Sequence, residues 1–511
     1  MFIGDYMGRR ALYTPDMLAV VDASQDPHRQ FTYAEMNERA DKLANWLQTE
    51  AGIVQGDRVG ILAGNGVEIL DAFFACGKLG AILAPYNWRL HWRELVQIMD
   101  VTTPRALIYS DTYREAVAHI TDAARYIKQV LHIGAEGVAG SSPYEATLQA
   151  APPTPVMTAS LAEEDIACLI FTGGTTGLPK GAQVSHRMIA WNTLNTMLHD
   201  IRPGDTTVNV FPMFHTGGLL VYTLPLLIAG GTVVLTGAFD PAQVLALIQD
   251  YRATFFAGVP VMYQMLTQAD NWAEADLSGL RFCTSGGSPL PVALIEKYTQ
   301  EKGVRFKQGF GMSEFGPGIF ALAPEDALRK AGSIGRPNFF VEARIVDDNN
   351  RPLGPNEVGE LVLRGPSMCS GYFNMPKQSQ EAVDENGFFH TGDLAIYDDE
   401  FYFYIVDRKK DMFISGGENI YPAEIEQALY QHPAVHMCAV IGVPDAQWGE
   451  VGKALVVLAR NASATEAELI AHLQAYLARY KVPRSVEFVE TLPISGAGKV
   501  LKRELRAQYS G

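Results

Sequence analysis

Residues 165–198 read DIACLIFT, then GGTTGLPKG, then AQVSHRMIAWNTLNTML: an apolar run, a turn built from glycines, threonines and one lysine, and a segment with helical spacing. A buried strand that feeds a glycine turn and then a helix is the repeating unit of a parallel, doubly wound sheet. The same alternation extends outward from this stretch. Upstream, residues 31–49 (FTYAEMNERADKLANWLQT) carry apolar positions at helical spacing, RVGILA is a short buried strand, and 69–79 is a further helix. Downstream, TVVLT, ATFFAGV and LRFCTSG continue the strands to about residue 320. The expected fold class is therefore α/β, with two doubly wound sheets in a large N-terminal domain.

Beyond residue 335 the rhythm changes to short strands and polar turns, in FFVEARIVDDNNRPLG, GELVLRG and FYFYIVD. This pattern predicts hairpins or a small, distorted β-barrel. The charged run DRKKD (407–411) then leads into ISGGENIYPAEIEQAL, where Pro422 opens a helix that stops at His432-Pro433. Strands VHMCAVIGV and ALVVLA follow, and Thr465 with Glu468 forms a capping box before Leu469, Leu473 and Leu477. The expected organisation is a large domain over 1–406, a hinge at 407–411 and a small, mobile α+β domain over 412–511.

Length and composition agree with a multidomain enzyme: 511 residues, 48% hydrophobic and 19% charged. With 41 basic and 57 acidic residues the net charge is −16, which argues against nucleic-acid binding. Five dispersed cysteines form no CxxC pair, and the N-terminus lacks a basic start followed by an apolar run, so a reducing, cytoplasmic location is expected. Residues 211–239 contain no Asp, Glu, Lys or Arg, but glycine pairs and Pro225 divide them. A buried helix followed by the strand GTVVLT is expected there instead of a transmembrane segment.

The turn at 172–181 (TGGTTGLPKG) has a direct chemical reading. Its glycines let backbone N–H groups converge on an anion, Thr172, Thr175 and Thr176 add hydroxyl donors, and Lys180 adds charge, which together suit a phosphate. It is not a Walker loop, because Pro179 precedes the lysine and Gly181 follows it.

With this turn in place, the chain resembles the adenylate-forming superfamily of acyl- and aryl-CoA synthetases, peptide-synthetase adenylation domains and beetle luciferases. The resemblance spans nearly the whole chain. It rests on seven ordered segments: TGGTTGLPKG, FPMFHTGG (211–218), TSGGSPL (284–290), QGFGMSE (308–314), HTGD (390–393), DRKKDMFISGGENIYPAEIE (407–426) and PISGAGKVLKR (493–503). It implies that Thr172, Thr175, Thr176, Gly177 and Lys180 hold the pyrophosphate end of ATP, with Gly173 standing where serine is usual. It also implies that Gln308, Gly309, Phe310, Gly311, Met312 and Ser313 form the adenylate segment, Phe310 replacing a tyrosine and Ser313 a threonine, while Glu314 binds Mg2+. Asp393 would accept from the ribose hydroxyls, Arg408 would reach the nucleotide, and His215 would gate the acyl and CoA sites. Lys499 would stabilise charge as the carboxylate attacks the α-phosphate. Rotation about Lys410 would then bring Ser415, Gly416 and Gly417 to the pantetheine of coenzyme A.

The implied reaction joins a carboxylic acid to ATP as an acyl-adenylate, releasing pyrophosphate, and passes the acyl group to the CoA thiol with loss of AMP. A medium- or long-chain fatty acid is the expected substrate, because TGGLLVYTLPLL after His215 is small and apolar without a charged anchor. QGFGMSE and FPMFH resemble 4-coumarate and related aryl-acid ligases, whereas GGENIYPAEIE is equally at home in medium- and long-chain fatty-acid ligases. Trp191, Gly286, Gly287 and Gly309 are expected to line the acyl pocket. A loader of a separate carrier protein, a luciferase-like oxidase and a non-catalytic acyl-nucleotide sensor are the rivals; Lys499, Glu314 and Asp393 together speak against the sensor. Dimerisation is common in similar enzymes and a peripheral place at a membrane is the alternative to a free cytoplasmic one, and no residue here marks either property.

Overall fold

The computed structural model describes residues 3–156, 160–172, 179–494 and 500–509. The chain divides into two compact units, residues 1–342 with 364–387 and residues 343–363 with 388–511.

The first unit holds two sheets. In the nine-stranded sheet the order is Arg336–Pro337, Gly316–Leu322, Phe306–Met312, Phe282–Gly286, Phe255–Gly258, Thr206–Asn209, Thr232–Leu235, Leu18–Asp22 and Arg29–Thr32. Its six central strands pair in parallel, and antiparallel strands close both edges. The seven-stranded sheet runs Ser142–Pro143, Gln129–Ile133, Ala106–Ser110, Arg58–Leu62, Ile82–Pro85, Ile166–Thr172 and Lys180–Ser185, with only the last strand antiparallel. Both sheets share one apolar core with helices Tyr33–Thr49 and Val67–Leu79.

Helix Val67–Leu79 is buried at every position, including Glu68, Asp71 and Lys78. Charges cannot be buried alone, and each is paired: Arg29 holds Asp22 and Glu68, Arg39 holds Asp71, and Lys78 holds Asp5 and Asp41. Residues 211–239 fold as expected, with helix Thr223–Ala229 followed by strand Thr232–Leu235. Among the described residues no helix is long and apolar enough to cross a membrane.

The second unit holds a four-stranded sheet, Glu342–Val346, Gly359–Arg364, Phe389–Tyr397 and Phe403–Arg408. This is the region expected as a distorted barrel; its described strands form an open path, because no pairing joins its first strand to its last. A five-stranded sheet follows, in which Val435–Asp445 and Gly449–Leu458 form a long antiparallel pair and Ser485–Phe488 adds in parallel. Ile425 and Leu429 of helix Pro422–Tyr430, and Leu469 and Leu473 of helix Glu466–Tyr476, pack in its core. The predicted capping box is present at Thr465 and Glu468.

Candidate active site

Thr172 and Lys180 are register partners on the antiparallel strands Ile166–Thr172 and Lys180–Ser185, and the Thr172 hydroxyl donates to the Lys180 carbonyl at 3.4 Å. The strand beginning at Lys180 therefore comes between the turn and the helix His186–Met197, a step the sequence reading passed over. Thr175, Thr176 and Gly177 lie outside the described residues, as does Lys499.

The Lys180 ammonium sits 4.7 Å from the centre of the Tyr372 ring. The hydroxyl of that tyrosine donates to Glu314 Oε1 at 3.0 Å, and the Glu314 carbonyl accepts from the Cys369 N–H at 2.8 Å. Segment 369–373 also bonds the strand from Lys180 through Gln183 N–H to Gly371 O and Phe373 N–H to Gly181 O. Lys180, Tyr372 and Glu314 thus form one cation, ring and carboxylate assembly. Burial, with the Glu314 carboxylate adding to it, pushes the Tyr372 hydroxyl well above its ordinary pKa, so it stays a donor. Tyr372 was missed in the sequence because a lone tyrosine in a polar loop carries no motif.

Gln308 to Met312 lie on strand Phe306–Met312, whose pairing with Gly316–Leu322 slips between Phe310 and Met312. At Gly311 a side chain would meet Pro317 at 2.4 Å, so the slip requires glycine. The half-buried Phe310 ring stands edge-on to Phe320 at 5.9 Å. Gln308 is buried; its Oε1 accepts from Leu290 N–H, which ties the 308–314 segment to 284–290. Gly309 is the register partner of Gly286 on the neighbouring strand. Ser313 is buried, with its Oγ 3.4 Å from Thr216 Oγ1, which joins the adenylate-like segment to FPMFHTGG.

His215 caps helix Thr216–Leu219, its Nδ1 accepting from the Gly217 N–H at 3.1 Å. In the neutral ring that leaves the proton on Nε2. Beside it opens a narrow recess lined by residues including Thr207, Asn209, Phe211, Gly217, Tyr222 and Ala257. Strand Thr206–Asn209 has Thr232–Leu235 on one side and Phe255–Gly258 on the other, so the chain connections diverge there. Asn209 and Ala257 stand toward the carboxyl ends of adjacent strands at this switch point, where open α/β sheets bind their ligands. Trp191 packs edge-on against Phe340 at 4.9 Å.

In the second unit, Asp393 and Arg408 are register partners on adjacent strands, with Arg408 Nε 2.5 Å from Asp393 Oδ1. Asp393 is buried, so an arginine partner is what permits its charge. Next to Arg408, the buried Asp407 carboxylate accepts from the Ala423 N–H at the start of helix Pro422–Tyr430. Burial raises its pKa, with the two backbone donors opposing. Gly416 and Gly417 turn between strands Phe413–Ser415 and Glu418–Ile420 at φ +59° and +89°; a side chain on Gly416 would also strike the Trp448 ring at 2.7 Å.

Two doubly wound sheets, with Lys180, Tyr372 and Glu314 assembled where a strand adjoins the glycine- and threonine-rich segment of the sequence, mark an α/β enzyme of the nucleotide-using kind. Residues 8–373 match the AMP-binding enzyme family and residues 424–499 match the AMP-binding enzyme C-terminal domain, and the chain belongs to this family. It is similar to a feruloyl-CoA synthase of Amycolatopsis sp (41% identity over 508 residues, 99% of each chain) and to the long-chain-fatty-acid–CoA ligase FadD13 of Mycobacterium tuberculosis (36% over 511 residues, 99% of this chain and 98% of the other). Among solved structures it resembles ATP-bound MatB from Rhodopseudomonas palustris, with 31% identity, a TM-score of 0.89 and coverage of 100% of this chain and 99% of that one. The protein is an ATP-dependent acid–CoA ligase, and it uses ATP, Mg2+ and CoA.

Proposed function

We propose that the acid is aromatic, of the cinnamate kind, and that it occupies the recess beside His215. The observation that carries this reading is Tyr222 in the wall of that recess. The recess lies at the carboxyl ends of the strands at the switch point, where open α/β sheets bind their ligands. Its wall also presents the Tyr222 hydroxyl, a poor neighbour for a methyl terminus. The 41% identity to a feruloyl-CoA synthase supports the same choice over the fatty acid expected from composition alone. A fatty acid is the second reading, supported by the 36% identity to FadD13 and by the apolar segment after His215.

In this reading Thr172, Lys180 and the turn between them hold the pyrophosphate end of ATP. Gln308 through Ser313 hold the adenylate, Asp393 and Arg408 its ribose, and Gly417 lies toward CoA. Magnesium would neutralise the phosphate oxygens, and the donor set at Glu314 fits it. No group of three His, Cys, Asp or Glu side chains able to enclose a metal occurs among the described residues, but Mg2+ beside ATP needs only one or two carboxylates. Lys499 carries the adenylation half-reaction, and a hinge at 407–411 separates residues 1–406 from 412–511.

The test is a panel of cinnamates, benzoates and fatty acids of graded length, followed by acid-dependent pyrophosphate release and CoA-dependent AMP formation. Cinnamates giving both products with the highest kcat/KM is the expected result; preference for fatty acids sinks the aryl reading. Lys499→Ala should lower adenylation by about 10²–10³-fold while still converting supplied acyl-adenylate to thioester.

A further inference from the structure

The polar groups around the recess divide into those already spent and one pair that is not. Thr207 Oγ1 donates to Phe255 O, and Thr223 Oγ1 donates to Gly218 O. Asn209 gives its Nδ2 to Gly218 O and takes the Phe211 N–H on Oδ1. All of these bonds point into the protein's own backbone. The Tyr222 and Thr284 hydroxyls instead bond each other at 2.8 Å. Two hydroxyls own two O–H groups, and their mutual bond uses one. Among the described residues neither side-chain hydroxyl has another hydrogen-bond partner, so one O–H and several lone pairs of the pair stay available; Tyr222 lines the recess, and Thr284 bonds it from strand Phe282–Gly286.

The pair is also held in place. The Tyr222 ring packs on Phe255 at 4.8 Å, and Phe255 stacks on Phe282 at 5.5 Å and 15°. The carbonyl of Thr284 accepts from the Tyr263 hydroxyl at 2.7 Å, which anchors the end of strand Phe282–Gly286. Burial pushes the Tyr222 phenol up to about 12, so the pair keeps both protons at neutral pH. A fixed hydroxyl donor and acceptor in an otherwise apolar recess stays unsatisfied beside a hydrocarbon and is satisfied by a substrate hydroxyl.

We propose that Tyr222 and Thr284 are the specificity element of the acid site, reading a hydroxyl on the aromatic ring of the substrate. The inference rests on the aryl-acid reading above and narrows it to phenolic acids. A site built to hydrogen-bond a substrate hydroxyl discriminates strongly against the analogue that lacks it, because its own buried polar groups are then left unpaired.

The experiment compares kcat/KM for pyrophosphate release with 4-hydroxycinnamate and with cinnamate, alongside decanoate, in the full-length enzyme. The expected wild-type ratio of hydroxylated to unhydroxylated acid is about 10² or more. Tyr222→Phe should reduce that ratio to within about threefold of one, Thr284→Val should lower it in the same direction, and Thr284→Ser, which keeps the hydroxyl, should restore it. Cinnamates turned over at a wild-type ratio near one, or a ratio that survives both Tyr222→Phe and Thr284→Val, overturns the hydroxyl reading and leaves the aryl assignment standing. Turnover of decanoate with neither cinnamate accepted overturns the aryl assignment, and this proposal with it.

Discussion

Tyr372 supports Glu314 from one side and carries the Lys180 ammonium on its ring face. In the proposed role of Glu314 it acts as a positioning residue, because a carboxylate that binds a metal through one oxygen needs its other contacts fixed. Tyr372→Phe keeps the ring for Lys180 and removes only the hydroxyl. The expected outcome is a loss of about 10–100-fold in adenylation rate or in apparent magnesium affinity. Pyrophosphate release titrated against magnesium would measure it; an unchanged profile would mean that Glu314 is oriented without the tyrosine. Lys180 was legible in its motif, whereas Tyr372 and Tyr222 were not, since each becomes informative only through a partner distant in the chain.

At the scale of elements, the last helix, Lys502–Tyr509, follows directly on the segment that bears Lys499. The chain enters it through a bridge between Ile494 and Val500 and a bond from Leu501 N–H to Pro493 O. Lys502 Nζ lies 2.8 Å from Glu426 Oε1 of helix Pro422–Tyr430, with both side chains largely buried, and Arg506 reaches Asp411 of the charged run at 2.8 Å. Burial raises the Glu426 pKa and Lys502 opposes it. Lys502→Met leaves a buried carboxylate unpaired, and urea denaturation should report a loss of about 3–5 kcal/mol in this unit. Adding Glu426→Gln should recover much of that loss. If the single variant is as stable as wild type, the pair contributes nothing. The helix starts were readable from Pro422 and the Thr465 capping box, because both signals are local. The ion pairs joining helix to helix were not, since nothing in a run of charges says which partner each will meet.

Across the whole molecule, acid sensitivity should show the buried histidine at the start of helix His186–Met197. Burial lowers the His186 pKa to about 4, so the folded chain keeps the ring neutral while the unfolded chain protonates it near its ordinary value of about 6.5. The unfolded state therefore binds the extra proton between these values, and the histidine's contribution is fully present above pH ~6.5 and is lost as pH falls toward ~4. The unfolding free energy of wild type from urea denaturation should fall over that interval by more than that of His186→Gln, the difference reaching up to about 3 kcal/mol; parallel curves would sink the assignment. The sequence by itself determined the α/β class, the alternation of strands and helices and the order of the seven segments, because periodicity, glycine turns and caps act over a few residues. Only the tertiary structure decided which distant groups meet. It placed Tyr372 on Glu314, Tyr222 on Thr284 and Arg408 on Asp393, it packed Trp191 against Phe340, and it opened a recess at the switch point. Those outcomes depend on strand order and register, which arise from the packing of the whole core.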